Sequence, residues 1–139
     1  MKVIVKIMGY TIFKGRNFYM NEKQELLLQN LKSIRDYWTK TAVDGLNSNT
    51  DLIWSENEDE YKILQTKLIS KEELNAFHQI QNEVIDGVIH SILVMIDGGD
   101  QLADNFLIDL IDSGTKESLQ EGVALHEEFY GYLLDNEEM

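Results

Sequence analysis

The sequence predicts an α+β fold that is predominantly helical, with three to four helices and a small antiparallel β-hairpin. Apolar residues recur at spacings of three and four over long stretches, and capping sequences precede them, which together predict helices. The apolar segment 106–111 is followed by a turn sequence, 112–115, and a second short segment, 116–119, which predicts the hairpin. The length of 139 residues fits one domain, which we place at 20–139.

The first predicted helix covers residues 21–40. Asn21 and Gln24 have the spacing of a capping box, in which each side chain accepts a backbone N–H of the other residue. Four apolar residues with helical spacing should form its buried stripe: Leu27, Leu31, Ile34 and Trp38. A second capping box, Ser55 with Glu58, predicts a short helix. Its buried side should consist of Tyr61, Leu64 and Leu68.

A third capping box, Ser70 with Glu73, opens a longer helix that should end at the glycine pair Gly98-Gly99. One apolar seam should run along it: Leu74, Phe77, Gln81, Val84, Val88, Ile92 and Met95. Residues 88–96 are rich in β-branched side chains and could form a strand instead. The seam continues without a break in phase, which favours the helix.

The N-terminal 19 residues differ in charge from the rest of the chain. Residues 1–19 carry four basic residues and no acid, whereas residues 20–139 have a net charge of −17. Two interpretations remain open: a basic extension upstream of a natural start at Met20, or an edge hairpin that partly neutralises the acidic body.

Composition excludes several classes of function. A formal charge of −13 argues against direct nucleic-acid binding and against a polybasic membrane anchor. The absence of cysteine excludes disulfides, thiol nucleophiles and cysteine-ligated metals. No nucleophile elbow, phosphate loop or zinc motif is present, so we assign no catalytic residue and no cofactor. We expect a cytoplasmic, non-enzymatic protein.

The alternative with most chemical content is a divalent-metal site. Asp97, Asp100 and Asp104 lie close together on a glycine-containing loop, and such oxygen-rich loops suit Ca²⁺ or Mg²⁺. This site would serve a small metal-dependent enzyme or a ligand-binding domain. The competing interpretation is structural, with Asp100 capping a turn that starts at Gln101.

Two acidic patches contain aromatic residues and therefore suit a basic partner. The segment 56–60 carries Glu56, Glu58 and Asp59 between Trp54 and Tyr61. Charge steers association with such a partner, and Tyr and Trp supply contact area. Acidity that serves only solubility is the competing interpretation.

The other patch is the C-terminal segment 97–139, which carries twelve acidic residues and one basic residue, Lys116. Its aromatic residues lie in the last predicted helix, 123–134. Its inner side should consist of Leu125, Phe129, Tyr132 and Leu133. This phase places Glu127, Glu128 and Tyr130 on the outer side, where they would form part of a partner surface.

Three segments resemble parts of small uncharacterised acidic bacterial proteins: residues 87–91 (GVIHS), 95–99 (MIDGG) and 124–129 (ALHEEF). In size, acidity and lack of motifs the chain also resembles, in type only, the immunity proteins of bacterial toxin systems. This resemblance implies an immunity-like or antitoxin-like role, in which the acidic face masks a basic partner. A structural or regulatory subunit of a larger complex is a further alternative.

Overall fold

A computed structural model describes residues 3–7, 10–14 and 20–137, the first two ranges by their backbone alone. Val3–Ile7 (β1) and Tyr10–Lys14 (β2) pair as antiparallel strands. The sequence left open whether residues 1–19 are an upstream extension or a hairpin packed on the body. The answer depends on side-chain contacts of these residues, and their side chains are outside the described part of the structure.

Residues 20–137 are organised around four α-helices. These are Glu22–Asp44 (α1), Glu58–Gln65 (α2), Lys71–Ile96 (α3) and Leu125–Asn136 (α4), with a 3₁₀ turn at Gln101–Asp104. The helical alternative for residues 88–96 is confirmed, because α3 continues to Ile96. Within this described range, no helix combines the length and the apolar character that crossing a bilayer demands.

The chain divides into two compact units. The first comprises residues 1–32 and 89–139, and the second comprises residues 33–88. The apolar core of the first unit comes from α1, α3 and α4: Leu28, Ile89, Leu93, Leu125, Phe129 and Leu133. The predicted inner side of the last helix is therefore confirmed at its three principal positions, and Tyr132 is half-buried.

In the second unit, α1 and α3 contact each other through polar side chains. The guanidinium group of Arg35, only 2% exposed, donates to the carboxylate of Asp86 at 3.0 Å. The hydroxyl of Thr39 donates to Asn82 Oδ1 at 2.7 Å. The higher-numbered residue of α1 meets the lower-numbered residue of α3, so the two segments run antiparallel.

In the second unit, the apolar stripes predicted for α1 and α3 are wrong, because polar residues take the positions between these two helices. Arg35 and Thr39 each follow a predicted core residue by one position, which is a rotation of about 100° around the helix. Ile34 and Trp38 are consequently 42% and 49% exposed. On α3 the predicted seam is also displaced, and Val84 is 55% exposed.

The predicted α+β class with a hairpin at 106–119 is wrong, since residues 20–137 are helical and contain no β-strand. A single isolated bridge, Ile111 with Ser118, is the β-type pairing found in this segment. The backbone N–H of Leu110 donates to the side chain of Gln120 at 2.7 Å, a contact that replaces a ladder hydrogen bond. Phe106, Leu107 and Ile111 are exposed, Leu107 at 77%, and Ile108 and Leu110 are only half-buried, so no fully buried face holds a strand register.

Backbone and side-chain contacts together hold the turn at 112–117. The backbone N–H of Asp112 donates to the carbonyl of Glu117 at 2.9 Å. The carboxylate of Asp112 accepts the backbone N–H of Gly114 at 2.7 Å. The ammonium group of Lys23 pairs with Asp112 at 2.8 Å and also with Glu117. The Lys23 ammonium group and the backbone N–H groups of Gly114 and Thr115 lower the pKa of Asp112 to about 2.

Two of the three predicted capping boxes are confirmed. Asn21 and Gln24 exchange both hydrogen bonds, at 2.8 and 2.9 Å. Ser70 and Glu73 do the same, at 2.8 and 3.1 Å. The box at residues 55–58 is wrong, because α2 begins one residue after Asn57, which makes no side-chain capping bond.

Candidate functional site

A loop at residues 45–57 links α1 to α2 and is anchored over residues 45–52. Leu46 and Leu52 are buried, at 5% and 7% exposure. The side-chain amide of Gln65, at the end of α2, donates to the carbonyl of Gly45 at 2.8 Å. The loop is therefore held to both neighbouring helices, and it presents Trp54 from a fixed backbone.

Four aromatic rings form a continuous cluster in the second unit. Trp38 contacts Tyr37 and Trp54, with ring centroids 5.4 and 6.3 Å apart, and Trp54 contacts Tyr61 at 5.5 Å. All three pairs are edge-to-face, an arrangement in which aromatic rings attract one another. Burial raises the pKa of the Tyr61 hydroxyl, as expected for the inner end of the cluster.

Gly45 is required for the close approach of Tyr61 to the loop. A Cβ atom at position 45 would lie 2.8 Å from Cδ1 of the Tyr61 ring, which is too close for any other residue type. The outer rings remain accessible to solvent: Tyr37 is 63% exposed, Trp38 49% and Trp54 44%.

Acidic residues lie between Trp54 and Tyr61 in the sequence, at the end of the loop and the start of α2. Glu56, Glu58 and Asp59 are all exposed, as the sequence predicts. Residues 51–60 contain five acids and no base. Lys62 pairs with Glu58 at 2.9 Å one turn further along, so one of these charges is locally compensated.

An open depression of about 320 Å³ lies next to the aromatic cluster. Aromatic rings, hydroxyl groups and one carboxylate line it: Tyr37, Trp38, Thr41, Asp44, Thr50 and Trp54. The Asp44 carboxylate is half-exposed and forms an i,i+4 ion pair with Lys40. The loop is tied to this wall because the Thr50 hydroxyl donates to the Asp44 carbonyl at 2.6 Å.

Two of the three aspartates of the alternative metal site, Asp97 and Asp100, have structural roles. Asp100 caps the 3₁₀ turn by accepting the N–H of Leu102 at 2.9 Å, and Asp104 is exposed at the end of that turn. In the described ranges, no group of three or more His, Asp or Glu residues could hold a metal ion.

Asp97 holds the start of α4. Its carboxylate accepts the backbone N–H of His126 at 2.9 Å and lies 2.7 Å from Nδ1 of the same residue. Gln120 donates to it at 3.2 Å. Burial raises the pKa of Asp97, but the hydrogen bonds from His126, Leu125 and Gln120 outweigh burial and leave that pKa below its ordinary value.

The residues predicted to form a partner surface on the last helix differ in exposure. Glu127 is exposed and Tyr130 is 49% exposed, whereas Glu128 is half-buried. They belong to the first unit, whereas the aromatic cluster belongs to the second. No aromatic pair involving Tyr130 occurs among the described residues.

Sequence reasoning identified the acids and Trp54 but missed Tyr37, Thr41 and Asp44, and it assigned Trp38 to the core. The available signal was the adjacent Tyr37-Trp38 pair, since two successive helical residues cannot both face one core. Comparison of the chain with protein-family models, with curated protein sequences and with solved structures gave no match.

Proposed function

We propose that this chain is a non-enzymatic interaction protein that binds a basic protein partner. The binding surface is the acidic-aromatic face, defined as Tyr37, Trp38, Trp54, Glu56, Glu58 and Asp59. One observation carries the proposal: three contacting aromatic side chains remain 44–63% exposed beside a segment with five acids and no base.

Each part of the face supports one step of binding. Exposed carboxylates attract a basic surface over a distance of about one Debye length, roughly 8–10 Å at physiological salt. Trp and Tyr then supply large contact areas with few rotatable bonds, which is why they dominate interface hot spots. The anchored loop adds preorganisation, because little backbone entropy is lost on binding.

The specific role that we propose is that of an immunity-like protein acting in the cytosol. Proteins that act on nucleic acids need basic surfaces, so an acidic face can mask such a surface by occupying it. The net charge of −13 supports this role. Glu127 and Tyr130 belong to the other unit and form a second candidate contact, which the same experiment tests separately.

The test is affinity capture from a lysate of the native host, at 50 and 500 mM salt, followed by affinity measurement with each purified binder. The face variant is Glu56→Lys with Asp59→Lys. The matched control is Glu72→Lys with Glu83→Lys, which makes the same charge change at exposed positions of the same unit. Asp59 and Glu72 both lie in the first turn of a helix, so the loss of dipole stabilisation is also matched.

We expect a basic binder whose affinity for the wild-type chain falls at least tenfold from 50 to 500 mM salt. The face variant should bind it at least tenfold more weakly than the control variant does. Equal losses in both variants would mean that net charge alone, rather than this face, attracts the binder. Loss confined to Glu127→Lys would place the interface on α4 and contradict the proposal.

A further inference from the structure

We infer that the depression beside the aromatic cluster is a binding site for an arginine side chain of the basic partner. The inference rests on the proposed function and specifies its anchor. The depression combines half-exposed aromatic rings, contributed by Tyr37, Trp38 and Trp54, with the acidic side chain of Asp44. This is the pairing that attracts an organic cation, through the ring quadrupoles and through the opposite charge.

The lining favours a guanidinium group over an apolar side chain. The Asp44 carboxylate and the Thr41 hydroxyl would be desolvated by an apolar occupant without gaining a hydrogen bond. It also favours arginine over lysine, because a planar guanidinium can lie against a ring while its edge donates two parallel hydrogen bonds to one carboxylate. Because the depression is open, an arginine side chain can enter it while its backbone stays in the partner protein.

Lys40 competes with an incoming arginine side chain for the Asp44 carboxylate. Its ammonium group pairs with the Asp44 carboxylate, and its side chain is 76% exposed. Exposed i,i+4 pairs are weak, so an incoming guanidinium group can displace this ammonium group. Removal of Lys40 should therefore strengthen the binding of an arginine side chain, whereas a purely structural role of the pair predicts no gain.

The test uses a blocked tripeptide, Gly-Arg-Gly, and its uncharged isostere in which citrulline replaces arginine. Binding to the full chain is followed by NMR at low salt through the indole N–H signals. The chain contains two tryptophans, and both line the depression. We expect both signals to shift with the arginine peptide, with a dissociation constant of roughly 1–10 mM. The citrulline peptide should bind about tenfold more weakly.

Three variants separate the effect of the Asp44 carboxylate on peptide binding from the effect of the competing Lys40 ammonium group. Asp44→Asn should weaken arginine binding about threefold to fivefold and leave citrulline binding unchanged. Lys40→Ala should strengthen arginine binding about twofold to fivefold. The matched control is Lys62→Ala, which breaks the equivalent i,i+4 pair with Glu58 outside the depression and should have no effect.

Equal binding of the two peptides, or no effect of Asp44→Asn and Lys40→Ala, would overturn the inference. The outcomes also distinguish this site from the proposed function. If charge reversal of Glu56 and Asp59 abolishes partner binding while Asp44→Asn leaves partner and peptide binding intact, the face stands and the arginine site fails. If the arginine peptide binds as expected but the face variant retains its partner, the proposed function fails.

Discussion

Replacing Asp86 with alanine should strongly destabilise the protein, because it removes a carboxylate from a buried guanidinium group. The Arg35 side chain is 2% exposed, and its Nη1 atom lies 3.0 and 3.3 Å from the two oxygens of Asp86. Breaking a buried ion pair by removing one partner costs about 3–5 kcal/mol. Asp86 is 27% exposed, and Asp36 still accepts from Nε at 2.9 Å, so we expect the lower end of the range or slightly less, about 2–3 kcal/mol.

Urea unfolding monitored by circular dichroism measures this loss of free energy, and thermal melting should show a decrease of roughly 6–12 °C for a domain of this size. The control is the double variant Arg35→Met with Asp86→Leu, which removes both charges and should recover most of the lost stability. If Asp86→Ala unfolds within about 0.5 kcal/mol of the wild type, the buried pair does not fix the packing of α1 against α3.

Three further substitutions test other parts of the structure by urea unfolding. Asp97→Asn should cost about 1–3 kcal/mol at neutral pH. Hydrogen bonds hold the folded-state pKa of Asp97 below its ordinary value. The difference in unfolding free energy between this variant and wild type should therefore persist from pH 7 to about pH 5 and shrink as the pH falls through that folded-state pKa. A difference that stays constant with pH would contradict the role assigned to Asp97. Gly45→Ala should cost about 1–3 kcal/mol through the clash with Tyr61. The control is Gly87→Ala, whose added methyl group meets nothing within 4 Å and which should be neutral or stabilising by up to about 1 kcal/mol. Equal effects of the two substitutions would refute the close approach of Tyr61 to Gly45. Phe129→Ala should cost about 3–5 kcal/mol, since the ring is 1% exposed, and a loss below about 1 kcal/mol would place this ring outside the core.

The helices and two of their caps could be predicted because their determinants are local. The Asn21–Gln24 and Ser70–Glu73 boxes each need two residues three positions apart, and the sequence shows both directly. The box at 55–58 has the same spacing, but the loop extends to Asn57 and the helix begins later. Spacing alone does not determine where a well-anchored loop ends.

The rotation of α1 about its axis could not be predicted, because residues far apart in the sequence determine it. Arg35 and Asp86 are 51 positions apart, and Thr39 and Asn82 are 43 apart. An apolar stripe is normally assigned to the core, and a buried arginine is rare, so pattern reasoning placed Trp38 inside. The exposed position of Trp38 is what creates the candidate site.

The most direct test of the proposed interface is amide hydrogen exchange of the chain, free and bound to its purified basic partner. We predict slower exchange on binding in the loop at 45–57 and in the first turn of α2, with no change in α4. Slower exchange confined to α4, around Glu127 and Tyr130, would contradict the proposal that the acidic-aromatic face binds the partner.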